Sequence, residues 1–267
     1  MKKIGIIKNE QENSGRIAAL LARKLEAAGY EALADQAQGA ELVVCVGGDG
    51  SFLQALESFG FPDIPFVGIN TGHLGFFQEL GEDDIDSFIE QYRGGAYVRQ
   101  TYRTVSGTID YRGGRLERRG LNEFVVRGSG SRLAHFDIYI GENFIEKFSG
   151  DGVVVSTPAG STAYNYALGG SIVDPRLSLL QLTPIAAVNN SAYRSFTSGI
   201  LLPADLTIGI YPEGASAREI LAAVDGNEIR LEDVRGIRIG LGEGVVTLLR
   251  FKDYHFWNTV KQKLLQP

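Results

Sequence analysis

Apolar positions change their spacing along this chain, and the change divides it in two. Residues 3 to 8 (KIGIIK) predict a short strand, and residues 14 to 28 predict a helix, with Ser14 as its cap and Ile17, Leu20, Leu21, Leu25 and Ala28 on one face. Residues 41 to 46 form a continuous Val-rich run, the pattern of a strand buried on both faces. Residues 51 to 59 read as a helix, 65 to 70 as another buried strand and 82 to 93 as a polar-capped helix. Strands alternating with helices predict a parallel sheet with crossover helices. Beyond residue 95 the pattern becomes short runs of β-formers broken by turn signals such as YRGGR, GENF, SGDG and VDGNE, with one helical insertion over 161 to 169. The last segment, DYHFWNTVKQKLL, predicts an amphipathic helix whose aromatic residues pack into the core.

The expected fold is therefore an α/β N-terminal domain with a Rossmann-like parallel sheet, residues 1–97, followed by an all-β, sandwich-like C-terminal domain, residues 98–252. Residues 253–267 are expected to pack back on the first domain, and the active site is expected at the domain junction.

Composition narrows the function. The chain has 267 residues, enough to bury a sizeable core, and carries 26 Lys plus Arg against 32 Asp plus Glu. That acidic balance disfavours nonspecific attraction to nucleic acid or to an anionic membrane. The single cysteine, Cys45, lies in an apolar run and reads as a buried small hydrophobe. No run approaches the roughly 18 apolar residues of a membrane span, and the N-terminus lacks a secretory h-region. A cytoplasmic protein is expected. Glycine stands out at 34 residues, close to twice the roughly 7% of ordinary usage, which suggests tight turns and close approach of backbone to a ligand.

Four motifs carry candidate chemistry. Gly47-Gly48-Asp49-Gly50-Ser51 follows a buried strand and precedes a helix, where open parallel sheets place ligands. Its glycines and the helix N-terminus suit a phosphate. Asp49 would repel that phosphate unless a cation or a reacting hydroxyl lay between them, so a role as general base for phosphoryl transfer is open to it. An ordinary Asp-Gly turn with Asp49 as a helix cap is the plainer alternative. Asn122-Glu123 stands at the start of an apolar strand, where alternation sends the two side chains to opposite faces unless the chain bends.

The third motif is the run from Gly150-Asp151-Gly152 to Gly169-Gly170. It is again strand, glycine turn and helix, and it gathers Ser161, Thr162, Tyr164 and Asn165. In the fourth, Asn70 to Phe77, His73 reads as a hydrogen-bonded structural residue, while Phe76 or Phe77 offers a face for adenine or a core contact. The chain contains neither GxxxxGK[ST] nor GxGxxG.

Taken together, GGDGS, GINTGHLGF, LNE, GDGVVVSTPAGSTAYNYALGG, LTPI and VDGNE resemble the NAD kinase family, in the same order and over nearly the whole chain. GGDG alone is shared with lipid kinases and phosphofructokinases; the STPxGSTAY run and the NE pair are characteristic. The resemblance implies transfer of the terminal phosphoryl group of ATP, or of another donor, to the 2′-hydroxyl of the adenosine ribose of NAD. It implies Asp49 as proton acceptor and Gly47, Gly48, Gly50 and Ser51 as the phosphate-donor loop. It further implies an NAD site drawn from Asp49, Gly50, Phe76, Asn122, Glu123, Asp151, Thr162, Ala163, Tyr164, Asn165, Ala167, Ala186 and Asn227. A divalent cation, Mg2+, and a homodimer or homotetramer are implied as well. Departures from the family pattern are Ala159 in place of Thr or Ser, Ser149 before Gly-Asp-Gly, and Ala186-Ala-Val-Asn-Asn in place of Pro-His. The rival functions are a kinase for another hydroxyl substrate, such as a lipid, and a noncatalytic NAD(P) sensor.

Overall fold

The computed structural model describes residues 1–72, 75–130, 133–191, 193–251 and 254–266, and these form two units, 1–101 with 245–267 and 102–244. In the first unit the order is β1 (Lys3–Lys8), α1 (Glu12–Ala27), β2 (Glu31–Ala34), β3 (Leu42–Gly47), α2 (Asp49–Ser58), β4 (Phe66–Asn70) and α3 (Ile85–Gly94). The strands align as β2-β1-β3-β4, all parallel. Every residue of β3 is buried, as its unbroken apolar run predicts. Ile17, Leu21 and Leu25 of α1 and Phe88 of α3 pack with Ile4, Val44, Val67 and Ile69 of the sheet in one core. Cys45 lies inside this sheet, where burial pushes its thiol up to about 12, so it stays a protonated small hydrophobe.

Two local expectations change. The first helix begins at Glu12, so Ser14 is not its cap. Ser14 is fully buried, and its hydroxyl shares a 3.1 Å hydrogen bond with the Thr71 hydroxyl. The strand β2 was not anticipated, because its EALA sequence offers no apolar run; pairing with β1 creates it.

The second unit takes in most of β5 (Val98–Tyr111), then β6 (Gly114–Gly120), β7 (Glu123–Gly128), β8 (Ala134–Ile140), β9 (Asn143–Gly150), β10 (Gly152–Ser156), a 3-10 turn (Ala159–Thr162), α4 (Tyr164–Ala167) and β11 (Leu179–Ile185). It continues through β12 (Ile200–Pro203), β13 (Ile208–Pro212), β14 (Glu219–Val224), β15 (Asn227–Glu232) and the first part of β16 (Gly236–Arg250). The helical insertion expected over 161–169 is thus a 3-10 turn and one turn of α-helix. Six strands form an antiparallel sheet in the order β12-β11-β10-β7-β14-β15. Strands β16, β13, β8 and β9 pair antiparallel in a second layer. Phe124, Val126, Val153, Val155, Leu180 and Leu182 of the six-stranded sheet meet Phe136, Ile138, Ile208, Ile210, Ile237 and Ile239 of the second layer, the packing of a sandwich.

The six-stranded sheet uses its other face differently. Glu123 lies opposite Ser156, and Ser156 opposite Gln181. Val125 lies opposite Val154, and Val154 opposite Thr183. Tyr164 and Leu168 pack on Val125, Val154 and Ile185. Period-2 alternation thus separates a core face from a face carrying motif residues.

The C-terminal residues belong to the first unit. The end of β16 pairs in parallel with β4 at Leu248 and Phe66, and the chain then forms α5 (Phe256–Val260) and a π-helical turn (Lys261–Leu265). The expectation of buried aromatic residues fails at Trp257, which is 44% exposed; Phe256 packs against Phe76.

Candidate active site

Asp49 is the first residue of α2, after the buried strand β3 and the cap residue Gly48. Its side chain does not cap the helix. Oδ2 accepts the Phe76 N–H and Oδ1 the Phe77 N–H, both at 3.0 Å, and Lys263 Nζ lies 3.2 Å from Oδ2. A carboxylate offers about four acceptor directions, two on each oxygen. Among the described residues, Oδ2 is filled and Oδ1 keeps one direction open. Gly75 packs closely against the carboxylate, where a Cβ would overlap Oδ1 and the Gln78 amide oxygen.

The rest of the loop is tied down around this carboxylate. Gln78 Nε2 donates to the Gly48 carbonyl at 2.5 Å, and Asn9 Nδ2 donates to Ser51 Oγ at 3.0 Å. Gly47 is buried and Gly50 exposed at the helix entrance. Phe77 stacks on Phe52 with ring centroids 5.0 Å apart and so serves the core. Phe76 is nearly buried beside Phe256, with Lys263 Nζ 4.8 Å from its ring centroid. Beneath it, Arg250 donates from Nη2 to the Phe76 carbonyl and from Nη1 to Glu79, and the Phe251 N–H donates to Glu79 at 2.7 Å. Burial raises the Glu79 carboxyl above its ordinary range although Arg250 opposes the shift. His73 lies outside the described residues.

In the second unit, Asn122 and Glu123 are both buried, each 6% exposed, despite being neighbours in sequence. The reason is a bend. Asp225, in the turn between β14 and β15, accepts N–H bonds from Leu121 at 2.6 Å, Asn122 at 2.8 Å and Glu123 at 3.2 Å. Thr157 holds the other side, donating from Oγ1 to the Leu121 carbonyl and from its N–H to the Asn122 carbonyl. Asn122 Oδ1 and Glu123 Oε2 are buried with no hydrogen-bond partner among the described residues. Unpaired buried acceptors are costly in a closed interior. Burial, with Asp225 nearby, pushes the Glu123 carboxyl up to about 8.

The STPAGSTAYN run lies over the same sheet. Gly160 sits so close to Asn122 that a Cβ would stand 2.7 Å from the Asn122 Cα. Ser161 does not cap a helix; its Oγ donates to the Pro158 carbonyl and accepts the Val173 N–H. Asn165 is fully buried, donating to the Ser161 and Ser171 carbonyls and accepting from Thr183 Oγ1 at 2.6 Å. It therefore shapes the surface more than it offers groups to a ligand. Thr162, Ala163 and Tyr164 are partly exposed there, and Ala167 is exposed. Asp151 is exposed before β10, Ala186 is exposed with a left-handed φ of 45°, and Asn227 is exposed at the start of β15.

Sequence reasoning singled out neither Asp225 nor Lys263 nor Gly75. Asp225 stood in the quoted VDGNE, where an Asp-Gly pair reads as an ordinary hairpin turn. Lys263 is 214 residues from Asp49 and has no local signal.

Residues 4–97 match the family model described as the ATP-NAD kinase N-terminal domain, and residues 121–245 that of the ATP-NAD kinase C-terminal domain. The chain is 34% identical over 268 residues to the NAD kinase of Finegoldia magna, covering 99% of this chain and 98% of that one. It is 33% identical over 230 residues to NAD kinase 1 of Listeria innocua, covering 85% and 86%. Among solved structures it is similar to yeast NADH kinase complexed with NADH, with TM-score 0.85, 17% identity, and 98% and 87% of the two chains covered. An Archaeoglobus fulgidus NAD kinase in complex with ATP gives TM-score 0.77, 20% identity and 97% coverage of each chain. At these identities the structural likeness speaks for the fold.

Proposed function

The chain belongs to the NAD kinase family, and on that premise we propose that Asp49 is the proton acceptor when NAD is phosphorylated to NADP. The observation that carries this reading is the Asp49 carboxylate at the entrance to α2, held in place by the Phe76 and Phe77 N–H groups and by Lys263. The 2′-hydroxyl of the adenosine ribose donates to Oδ1 and passes its proton there as its oxygen attacks the γ-phosphorus, the bond from that phosphorus to the β-phosphate oxygen breaks, and ADP leaves. Phosphoryl transfer passes through a loose transition state, so holding the groups in line does most of the work.

ATP supplies the phosphoryl group. Gly47, Gly48, Gly50 and Ser51 lie at the N-terminus of the ten-residue α2, where free N–H groups and the helix dipole favour the donor's phosphates. Asn122 Oδ1 and the Glu123 carboxyl meet polar atoms of the dinucleotide. Thr162, Ala163, Tyr164, Asn165, Ala167, Asp151, Ala186 and Asn227 shape the surface that receives it, and Phe76 adds an aromatic face. A divalent cation accompanies the donor. Among the described residues no three His, Cys, Asp or Glu side chains gather, and Asp49 is engaged by three donors. We place the protein in the cytoplasm, and the family resemblance implies a homodimer or homotetramer. Among the described residues no helix is long and apolar enough to cross a membrane.

The test is direct. Purified protein is mixed with NAD, ATP and Mg2+, and NADP is followed with an NADP-specific dehydrogenase. NADP at background would overturn the reading, and NAD binding without turnover would point to a sensor.

A further inference from the structure

Consecutive residues of an extended chain point to opposite sides, yet Asn122 and Glu123 both bury polar side chains. Asp225 is what reconciles them. It occupies the first position of a two-residue hairpin turn, with φ 48°, and Gly226 the second with φ 87°, while Val224 pairs with Asn227 across the turn. That turn swings the Asp225 carboxylate under residues 121 to 123, where it accepts three successive N–H groups, and the Asp225 N–H donates to the Glu123 carbonyl. Gly120 leaves it room, since a Cβ there would stand 2.9 Å from Asp225 Oδ1.

We propose that Asp225 is a positioning residue of the dinucleotide site, setting both the bend that aims Asn122 and Glu123 and the hydrogen-bonding role that Glu123 offers. The inference rests on the reading that these two side chains meet the dinucleotide. Three N–H donors stabilise the Asp225 carboxylate as an anion. Glu123 has no such donors on Oε2, and its neighbours across the sheet are uncharged: Ser156 opposite it, Gln181 beyond, with Tyr164 and Asn165 over the same face. Burial, and after it the charge of Asp225, push the Glu123 carboxyl up to about 8. A carboxyl so raised keeps its proton to higher pH than an ordinary glutamate and, while protonated, offers a donor. Its partner on the dinucleotide is then an acceptor atom that carries no hydrogen, such as a ring nitrogen or a phosphate oxygen. An ionised glutamate at the same place would repel that atom.

Two variants and two readouts test this. In Asp225→Asn one oxygen replaces two, so an N–H of the bend loses its acceptor, and the KM for NAD should rise about tenfold or more while kcat changes less. For the wild type, NAD binding should weaken as pH rises through about 8, where Glu123 loses its proton. In Asp225→Asn that weakening should move to lower pH, and in Glu123→Gln it should vanish while NAD still binds. A purely structural role for Asp225 would raise KM and leave the pH profile in place, which would overturn the proposal. Titrating the 13C-labelled Glu123 carboxyl without ligand reads the coupling separately. If it shifts down in Asp225→Asn while Glu123→Gln and Asn122→Ala leave the KM for NAD unchanged, the coupling stands and the assignment of these residues to the dinucleotide falls. If it does not shift, the inference falls. Should Asp225→Asn fail to fold, Glu123→Gln with Asp225 intact still decides whether a neutral donor is what NAD requires, and loss of NAD binding there would overturn it.

Discussion

Lys263 Nζ lies 3.2 Å from Asp49 Oδ2, so the π-helical turn near the C-terminus holds one oxygen of the carboxylate at the start of α2. The two side chains are 29% and 26% exposed, and an exposed pair contributes at most about 1 kcal/mol. Lys263→Gln should therefore melt close to the wild type. Its kcat should fall by up to about tenfold, because the carboxylate, still held by the Phe76 and Phe77 N–H groups, loses its third anchor and part of its line on the reacting hydroxyl, and Lys263→Arg should restore most of it. Steady-state kinetics with melting curves check this; an unchanged kcat would show that the contact is incidental.

Asp49→Asn separates chemistry from scaffolding. Turnover should drop by ~10² or more, the scale of general-base loss, with NAD binding kept in a calorimetric titration. Stability should fall by about 1 kcal/mol, since one amide oxygen cannot serve both the Phe76 and Phe77 N–H groups. Retained turnover would remove Asp49 from the base role.

Glu79 and Arg250 form a buried pair, 12% and 4% exposed, under the Phe76 loop. Glu79→Gln removes the carboxylate charge from beside the buried guanidinium and should cost about 3 kcal/mol. Urea unfolding at unchanged slope measures it, and an effect below the resolution of that experiment would mean that water reaches the pair.

Glu123 should also mark the pH dependence of folding. Its folded value of about 8 lies above the ordinary 4.5, so across that window the folded chain holds a proton that the unfolded chain has released. Its contribution is complete below about 4.5 and is lost as pH rises through about 8. Glu79 and Glu146, both raised by burial, add slopes of the same sign. Glu123→Gln should therefore flatten the decline in stability between pH 5 and pH 8; parallel curves for the two proteins would contradict it.

The parallel strands β1, β3 and β4 were legible because their apolar runs are continuous, and the family resemblance was legible in motifs that lie on the chain in order. What the sequence concealed was long-range. Ser14 has the residue type of a cap, but its burial depends on Thr71, 57 positions away. The Asn122-Glu123 pair read as a contradiction of strand alternation, and its resolution lies in Asp225, about a hundred residues on. Asp49 could be read as a base or as a turn residue, and the amides of Phe76 and Phe77 that exclude the capping role come from another loop. Propensity and spacing act over a few residues, whereas these contacts exist only once the chain has closed on itself.

The two faces of the six-stranded sheet are written in alternate letters of the same strands. Phe124, Val153 and Leu182 belong to the core, while Glu123, Val154 and Thr183 belong to the opposite face. Drift at the even positions of β7 and β11 and the odd positions of β10 is paid for in folding. The intervening positions are buried as well, but Val125 and Val154 pack against Tyr164 and Leu168, and Thr183 holds Asn165, so a change there reaches the motif residues directly. A lineage could thus retune what this surface recognises through single substitutions, provided the glycine at 160 and the aspartate at 225 continue to anchor the loop between them.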